Sequence, residues 1–232
     1  MERKYYEAYD DRYRQVHGEN LVWFTKEPSP IVAKMMDAFG IGPEKRILEI
    51  GCGEGRDARY LLGRGCDLLA TDISPEAVAY CRELCPGQEA HFQVLNCIGG
   101  RLKEKFDFIY AVAVVHMLVL DEDRDGFYRF VRQHLKPGGV ALICTMGDGE
   151  MERSSDIRTA FELQERCHEQ TGRMVQIAGT SCRMVSFDTF GEELKRNGLQ
   201  VLRQGMTAIE PDFPQMMYAV VGREDDDGHS SH

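Results

Sequence analysis

Short apolar runs alternate with stretches of helical period along most of the chain. Residues 47–50 and 67–71 are each short enough for a buried strand. Between them stand Gly51, Gly53 and Gly55 at every second position, followed by a helix-length segment. Further strand-length runs fall at 90–95, 106–113, 140–146, 199–206 and 216–222. Ser74-Pro75-Glu76 is a helix start: Ser caps, Pro fits the first turn, and Glu suits the positive end. Residues 121–135 put Phe127, Phe130, Val131 and Leu135 on one helical side, and Lys136-Pro137-Gly138-Gly139 turns the chain into the next strand. Near the N-terminus a first helix reaches about residue 16. Pro28-Ser29-Pro30 breaks the chain, and Ile31, Met35 and Phe39 mark a second helix. Residues 155–170 have the composition of a helix, and 174–186 fit neither period. Asp188 is placed to cap a last helix that Gly198 closes. Five strands alternating with helices, then two closing strands, predict a doubly wound α/β fold: a mostly parallel sheet with helices on both faces.

Composition narrows the setting. A chain of 232 residues suits one domain with at most a small cap, and neither a repeat nor a second core is visible. The longest apolar stretch, 109–120, includes His116 and is too short to span a bilayer. The charged N-terminus lacks the apolar core of a signal peptide. A cytoplasmic protein without a membrane partner is expected. The net charge is −10, from 28 basic and 38 acidic residues, and the basic ones are scattered, which disfavours nucleic acid as a partner. Eight cysteines form no C-x-x-C pair, and Cys81 and Cys85 have no histidine beside them, so reduced thiols and no metal site are expected. The acidic stretch 224–232 reads as a disordered tail.

The candidate chemistry sits at 46–72. Glycines let the turn take positive φ and let a ligand lie on bare backbone. Asp72, at the tip of the second strand, can accept both hydrogen bonds of a ribose diol. The dinucleotide fingerprint G-x-G-x-x-G fails, because position 56 is Arg; this argues against an NAD-linked oxidoreductase. The order E-x-G-x-G-x-G from Glu49 to Gly55, with Asp72 at the next strand end, resembles motif I of the class I S-adenosylmethionine-dependent methyltransferases. The helix at 121–135, the L-K-P-G-G turn and the strand after it strengthen the resemblance, which covers roughly 31–146 and 187–222.

That resemblance implies a seven-stranded sheet of order 3-2-1-4-5-7-6 with strand seven antiparallel. It implies an N-terminal aromatic lid at 1–30, a methyltransferase domain at 31–223, and a small cap insertion at about 147–186. S-adenosyl-L-methionine is the implied cofactor. Glu49, Gly51, Cys52 and Gly53 are expected at its amino-acid end, Asp72 at the ribose, and Ile73, Asn96 and Cys97 around the adenine, with Ala111 and Val112 beneath the sulfonium. Asn96 replaces the family's usual Asp, but an amide oxygen can accept the same bond. His116, beyond the fourth strand, is the candidate general base. Tyr13 and Trp23 are the lid candidates. Arg183 is singled out among Arg153, Arg158, Arg166, Arg173 and Arg183 of the insertion as a contact to an anionic acceptor. No NPPY-like motif follows strand four, where A-V-A-V-V-H stands, and the chain is broadly similar to tellurite-resistance-type and other small-molecule methyltransferases. A small-molecule acceptor is therefore expected. The alternative is a non-catalytic cofactor-binding or partner-binding protein of the same fold.

Overall fold

The two apolar runs that flank the glycine turn pair as parallel strands in the computed structural model, which describes residues 3–23, 26–168 and 170–224. In β1 (Arg46–Ile50) and β2 (Asp67–Asp72), Ile47 stands opposite Leu68 and Leu48 opposite Leu69. With β3 (Phe92–Val94), β4 (Phe106–Val112), β5 (Leu135–Met146), β6 (Leu199–Ile209) and β7 (Phe213–Arg223) they form one sheet of order β3-β2-β1-β4-β5-β7-β6. Strand β7 runs antiparallel to both of its neighbours. This is the expected order. The winding reverses between β1 and β4, so the crevice beyond their carboxyl ends is where such a sheet takes its ligand.

The helices are α1 (Ala8–Gly18), α2 (Pro30–Ala38), α3 (Arg56–Gly63), α4 (Pro75–Leu84), α5 (Asp121–His134) and α6 (Phe187–Arg196). Alternate residues of the central strands feed opposite faces of the sheet. Leu48, Ile50 and Ile109 pack with Phe127, Phe130 and Val131 of α5. Ile47, Phe108 and Tyr110 pack with Met35 of α2 and Leu61 of α3. Both faces are dry, which is why these strands read as continuous apolar runs rather than as alternation. Ser74 caps α4 as its sequence predicts, accepting from Ala77 N at 3.0 Å. Helix α6 begins earlier than expected: Ser186, not Asp188, is the cap, accepting from Thr189 N at 3.2 Å.

The insertion differs from its expected form. Residues 155–170 make a single 3-10 turn, Ile157–Thr159, and then a strand, Leu163–Cys167, that pairs antiparallel with Met174–Ala178. Val175 and Ile177 alternate inward and pack against Val16 of α1. Burying that stripe needs a strand, the strand needs a partner, and this tertiary demand overrides the helix preference of Gln164, Glu165 and Arg166. A shorter pair, Arg153–Ser154 with Arg183–Met184, closes the base of the insertion.

The N-terminal segment lies across the carboxyl ends of the sheet. Tyr5 donates its hydroxyl to Asp123 Oδ2 at 2.8 Å and accepts from Val119 N at 2.9 Å. Asp10 Oδ1 accepts from Ser74 Oγ at 2.6 Å and from Glu76 N at 3.2 Å. Helix α1 also packs on the strand Met174–Ala178, so the N-terminal segment and the insertion touch each other. Among the described residues no helix is long and apolar enough to cross a membrane. Of the tail read as disordered, residues 225–232 lie outside the described part.

Candidate functional site

The glycine turn folds back on β2: Gly51 N and Cys52 N both donate to Thr71 O, at 2.7 and 2.9 Å. Two of its glycines are required on two counts. Gly51 has φ +75° and a side chain there would overlap Val114; Gly53 has φ +51° and a Cβ would lie 2.7 Å from the Tyr13 hydroxyl. Asp72 Oδ2 accepts from Gly53 N and Oδ1 from Ser74 N, each at 2.9 Å. Each oxygen keeps a second lone pair. Burial raises the Asp72 pKa, while the backbone amides oppose that rise.

A cavity opens beside this turn. It is lined by Glu49, Gly51, Cys52, Gly53, Asp72, Ile73, Asn96, Cys97 and Val112 of the residues expected to bind cofactor. Ala111 is not on its wall; it is 1% exposed and packs in the core beneath α5. Glu49 sits opposite Tyr110 in the β1–β4 register, and its Oε2 is buried with no hydrogen-bond partner. Burial, with Asp57 adding to it, pushes the Glu49 carboxyl well above its usual range. Asn96 Oδ1 accepts from Ile98 N at 2.9 Å.

Tyr13, the lid candidate, lines one side of this cavity together with Tyr6 and Tyr9, which were not singled out from the sequence. Their spacing of three and then four was the available signal: one side of the N-terminal segment faces the turn. His17 fastens the same segment. Its Nε2 meets Glu54 Oε1 at 3.1 Å and its Nδ1 meets Glu76 Oε1 at 2.8 Å. Glu54 Oε1 also accepts from Trp23 N at 2.7 Å.

Arg56 explains the missing third glycine. It donates to Asp212 Oδ2 at 2.9 Å and to Ser29 Oγ at 3.1 Å, drawing the β6–β7 loop toward the turn. That loop brings Phe213 into the cavity wall. No sequence signal links these positions, which stand 156 residues apart.

A second cavity adjoins the first, sharing Tyr9, Met117 and Phe213 with it. His116 and Trp23 line it. The imidazole of His116 is buried, its Nδ1 has no partner, and Phe213 stands edge-on with centroids 6.3 Å apart. Burial, then the charges of Arg124 and Arg12, lowers its pKa to about 3, so the ring is neutral near pH 7. Arg183 lines neither cavity: its Nη1 donates to Val119 O at 2.8 Å and to Asp121 Oδ1 at 2.6 Å. The arginines on the second cavity's wall are Arg12, Arg153 and Arg166.

Comparison with known proteins agrees with this geometry. Residues 48–141 match the family described as Methyltransferase domain. The chain is 26% identical over 165 residues to the malonyl-[acyl-carrier protein] O-methyltransferase of Acetivibrio thermocellus, an alignment covering 68% of this chain and 56% of that one. The chain spans between about a third and just over half of the curated relatives it matches. Among solved structures, the CcbJ methyltransferase from Streptomyces caelestis superposes with a TM-score of 0.66 at 14% identity, covering 93% of this chain and 98% of that one. The glycopeptide N-methyltransferase MtfA complexed with S-adenosyl-L-methionine superposes at 0.60 with 21% identity, covering 87% and 96%.

Proposed function

We propose, from the match of residues 48–141 to the family described as Methyltransferase domain and from the class I methyltransferase fold of the chain, that it moves a methyl group from S-adenosyl-L-methionine to a small-molecule acceptor. The observation that carries this reading is the buried, unpartnered Glu49 Oε2 beside a turn of bare backbone, with Asp72 one strand over. A buried carboxylate oxygen without a partner is costly, and an ammonium group supplies what it lacks.

The residues present fit the cofactor. Glu49 answers its amino group, and the backbone of Gly51, Cys52 and Gly53 leaves room for its amino-acid end. Asp72 offers its remaining lone pairs to the ribose hydroxyls. Ile73, Asn96 and Cys97 share the cavity wall and would hold the adenine, Ile73 against its face and Asn96 with the Cys97 amide at its edge. Val112 borders the sulfonium end. When bound, the cofactor would supply an electrophilic methyl on a cationic sulfur, with that sulfur as the leaving group that keeps the bonding electron pair.

The chain's part is then placement and dryness. Tyr9, Met117 and Phe213 stand where the two cavities meet, so an acceptor in the second presents its nucleophile there. Tyr6, Tyr9 and Tyr13 cover the first cavity and keep competing water out. His116, neutral and with Nδ1 unpaired, is suited to hydrogen-bonding and orienting the nucleophile rather than to holding its proton near pH 7.

Calorimetry with S-adenosylhomocysteine tests the reading. One site per chain is expected, with no heat from NAD in a parallel titration. Glu49→Gln keeps the shape but cannot ionise beside the ammonium group as the carboxyl does, and is expected to weaken binding by about tenfold or more, as a hydrogen bond to a charged group implies. Absence of heat with S-adenosylhomocysteine overturns the assignment.

A further inference from the structure

The second cavity is cationic in an acidic protein. Arg12, Arg153 and Arg166 line it, and the only carboxylate on its wall among the described residues, Asp212, is paired with Arg56 at 2.9 Å. The chain as a whole carries a net charge of −10, so the chamber reverses the general composition. Arg12 is the most constrained of the three. Its Nη2 donates to Ala178 O at 3.2 Å, Gly179 O at 3.3 Å and Thr180 Oγ1 at 2.6 Å, all neutral groups. Its Nε is buried and has no partner. The rings of Tyr9 and Trp23 flank the guanidinium, at 5.2 and 5.1 Å. Arg166 donates to Gln164 Oε1 at 3.1 Å. Among the described residues none of the three makes an ion pair with a carboxylate, and Arg166 adds like charge at Arg12.

Guanidinium groups gathered in a cleft where none of them pairs with a described carboxylate are matched by an oxyanion, which their planar forks bind in bidentate fashion. Met117, Met146, Trp23 and Phe213 give the wall an apolar side, while Ser154, Ser155, Thr159, Gln164, Thr180 and Ser181 add neutral polar groups beside the arginines. Resting on the methyl-transfer reading, we propose that this cavity binds the acceptor as a small oxyacid with an apolar or aromatic body. Its anionic group lies on Arg12, Arg153 and Arg166, and its nucleophile points toward Met117 and Phe213, where the cavities join. Arg12 projects from the lid helix while Arg153 and Arg166 come from the insertion, so the anion also bridges lid and cap.

Trp23 is the sole tryptophan of the chain, so its emission reports on this chamber. The full chain, saturated with S-adenosylhomocysteine as verified by calorimetry, is titrated with benzoate, phenyl phosphate and neutral benzamide. A saturable change in Trp23 emission is expected with benzoate or phenyl phosphate at millimolar concentration, and binding of benzamide weaker by about tenfold or more, as the loss of a charge-assisted pair implies. Whichever of the two anions binds better identifies the acid as carboxylic or phosphoric. Arg12→Met is expected to weaken the anion about tenfold and Arg153→Gln severalfold, with the S-adenosylhomocysteine heat unchanged in both. Arg153 lies on the exposed pair at the base of the insertion, so that variant keeps the test open if Arg12→Met fails to fold. Equal binding of benzamide and benzoate, no response to either anion in protein that binds S-adenosylhomocysteine, or folded arginine variants that bind as wild type would each overturn the proposal. Loss of the S-adenosylhomocysteine heat in the wild type overturns the methyl-transfer reading itself, so the two failures are distinguishable.

Discussion

His116 shows how far a residue's identity falls short of its role. Its place after strand four was legible, because the apolar run ends there and the carboxyl ends of central strands face the crevice. Its protonation was not legible, since that depends on burial and on Arg12 and Arg124, which come from α1 and α5. A ring with a pKa near 3 stays neutral throughout the range where an unperturbed histidine changes charge. Nuclear magnetic resonance titration of the histidine rings is therefore expected to show His116 flat between about pH 5 and 8. With an acceptor in hand, His116→Asn is expected to lower turnover by less than the hundredfold or more that loss of a general base brings, roughly 10²–10⁴. A His116 signal that titrates near 6.5, with a matching break in the rate profile, would return the residue to acid–base duty. That Glu49 and Asp72 would stand on one cavity wall was readable from the motif, because β1 and β2, adjacent in sequence, are also paired in space. Arg12 was missed for the opposite reason: its meaning lies in Thr180, 168 residues away.

Two elements hold the site together, and each makes a separate expectation. Helix α1 is fastened by His17, which stacks on Tyr80 at 4.5 Å between Glu54 and Glu76. Burial of His17 lowers its pKa, but the hydrogen bonds and charges of Glu54 and Glu76 outweigh that and leave it raised. A raised histidine contributes stability that is complete below its unfolded pKa, about 6.5, and is lost as pH rises through the folded value. Amide protection in α1 is therefore expected to exceed that of His17→Gln at pH 6 and to converge with it at alkaline pH; a difference that grows with pH would contradict the clasp. The second element is the turn Val115–Met117, which carries His116. Arg124 Nη1 donates to Val115 O at 2.8 Å and Leu118 O at 3.2 Å, while its Nη2 pairs with Glu193 Oε2 at 2.6 Å, both side chains fully buried. Arg124→Met leaves the buried Glu193 with only the Tyr128 hydroxyl at 2.8 Å and the more distant Arg183 at 3.9 Å. It is expected to cost about 3–5 kcal/mol, and Arg124→Met with Glu193→Met to recover much of that. Chemical denaturation of the two variants measures it, and equal losses in both would remove the stranded charge as the cause. The insertion is the element the sequence misread. Its strands are polar on their outer face and owe their form to Val16, so local preference alone pointed to a helix.

At the scale of the molecule, the site is a closure of distant parts over one bend. The N-terminal segment reaches α4 and α5, the β6–β7 loop reaches α3 through Arg56 and Asp212, and the insertion reaches α1. None of these parts is stabilised by the parallel sheet alone; each ends on the walls of the two cavities. Ligands that fill those walls should therefore tighten all three at once. Binding at about 100 times Kd contributes about 2.7 kcal/mol, which for a chain of this size raises Tm by roughly 5–10 °C. Global stabilisation of that size is expected from S-adenosylhomocysteine. A closure of distant parts predicts a pattern as well as a magnitude: protease cleavage should slow first at residues 19–23, after α1, and at 170–173, before the strand Met174–Ala178, both remote in sequence from the glycine bend. Adding benzoate to the S-adenosylhomocysteine complex should slow cleavage at those two places further, because Arg12 and Arg166 sit beside them. If limited proteolysis with mass mapping instead shows protection confined to 46–72, the lid and insertion are bystanders and the sheet alone holds the ligand.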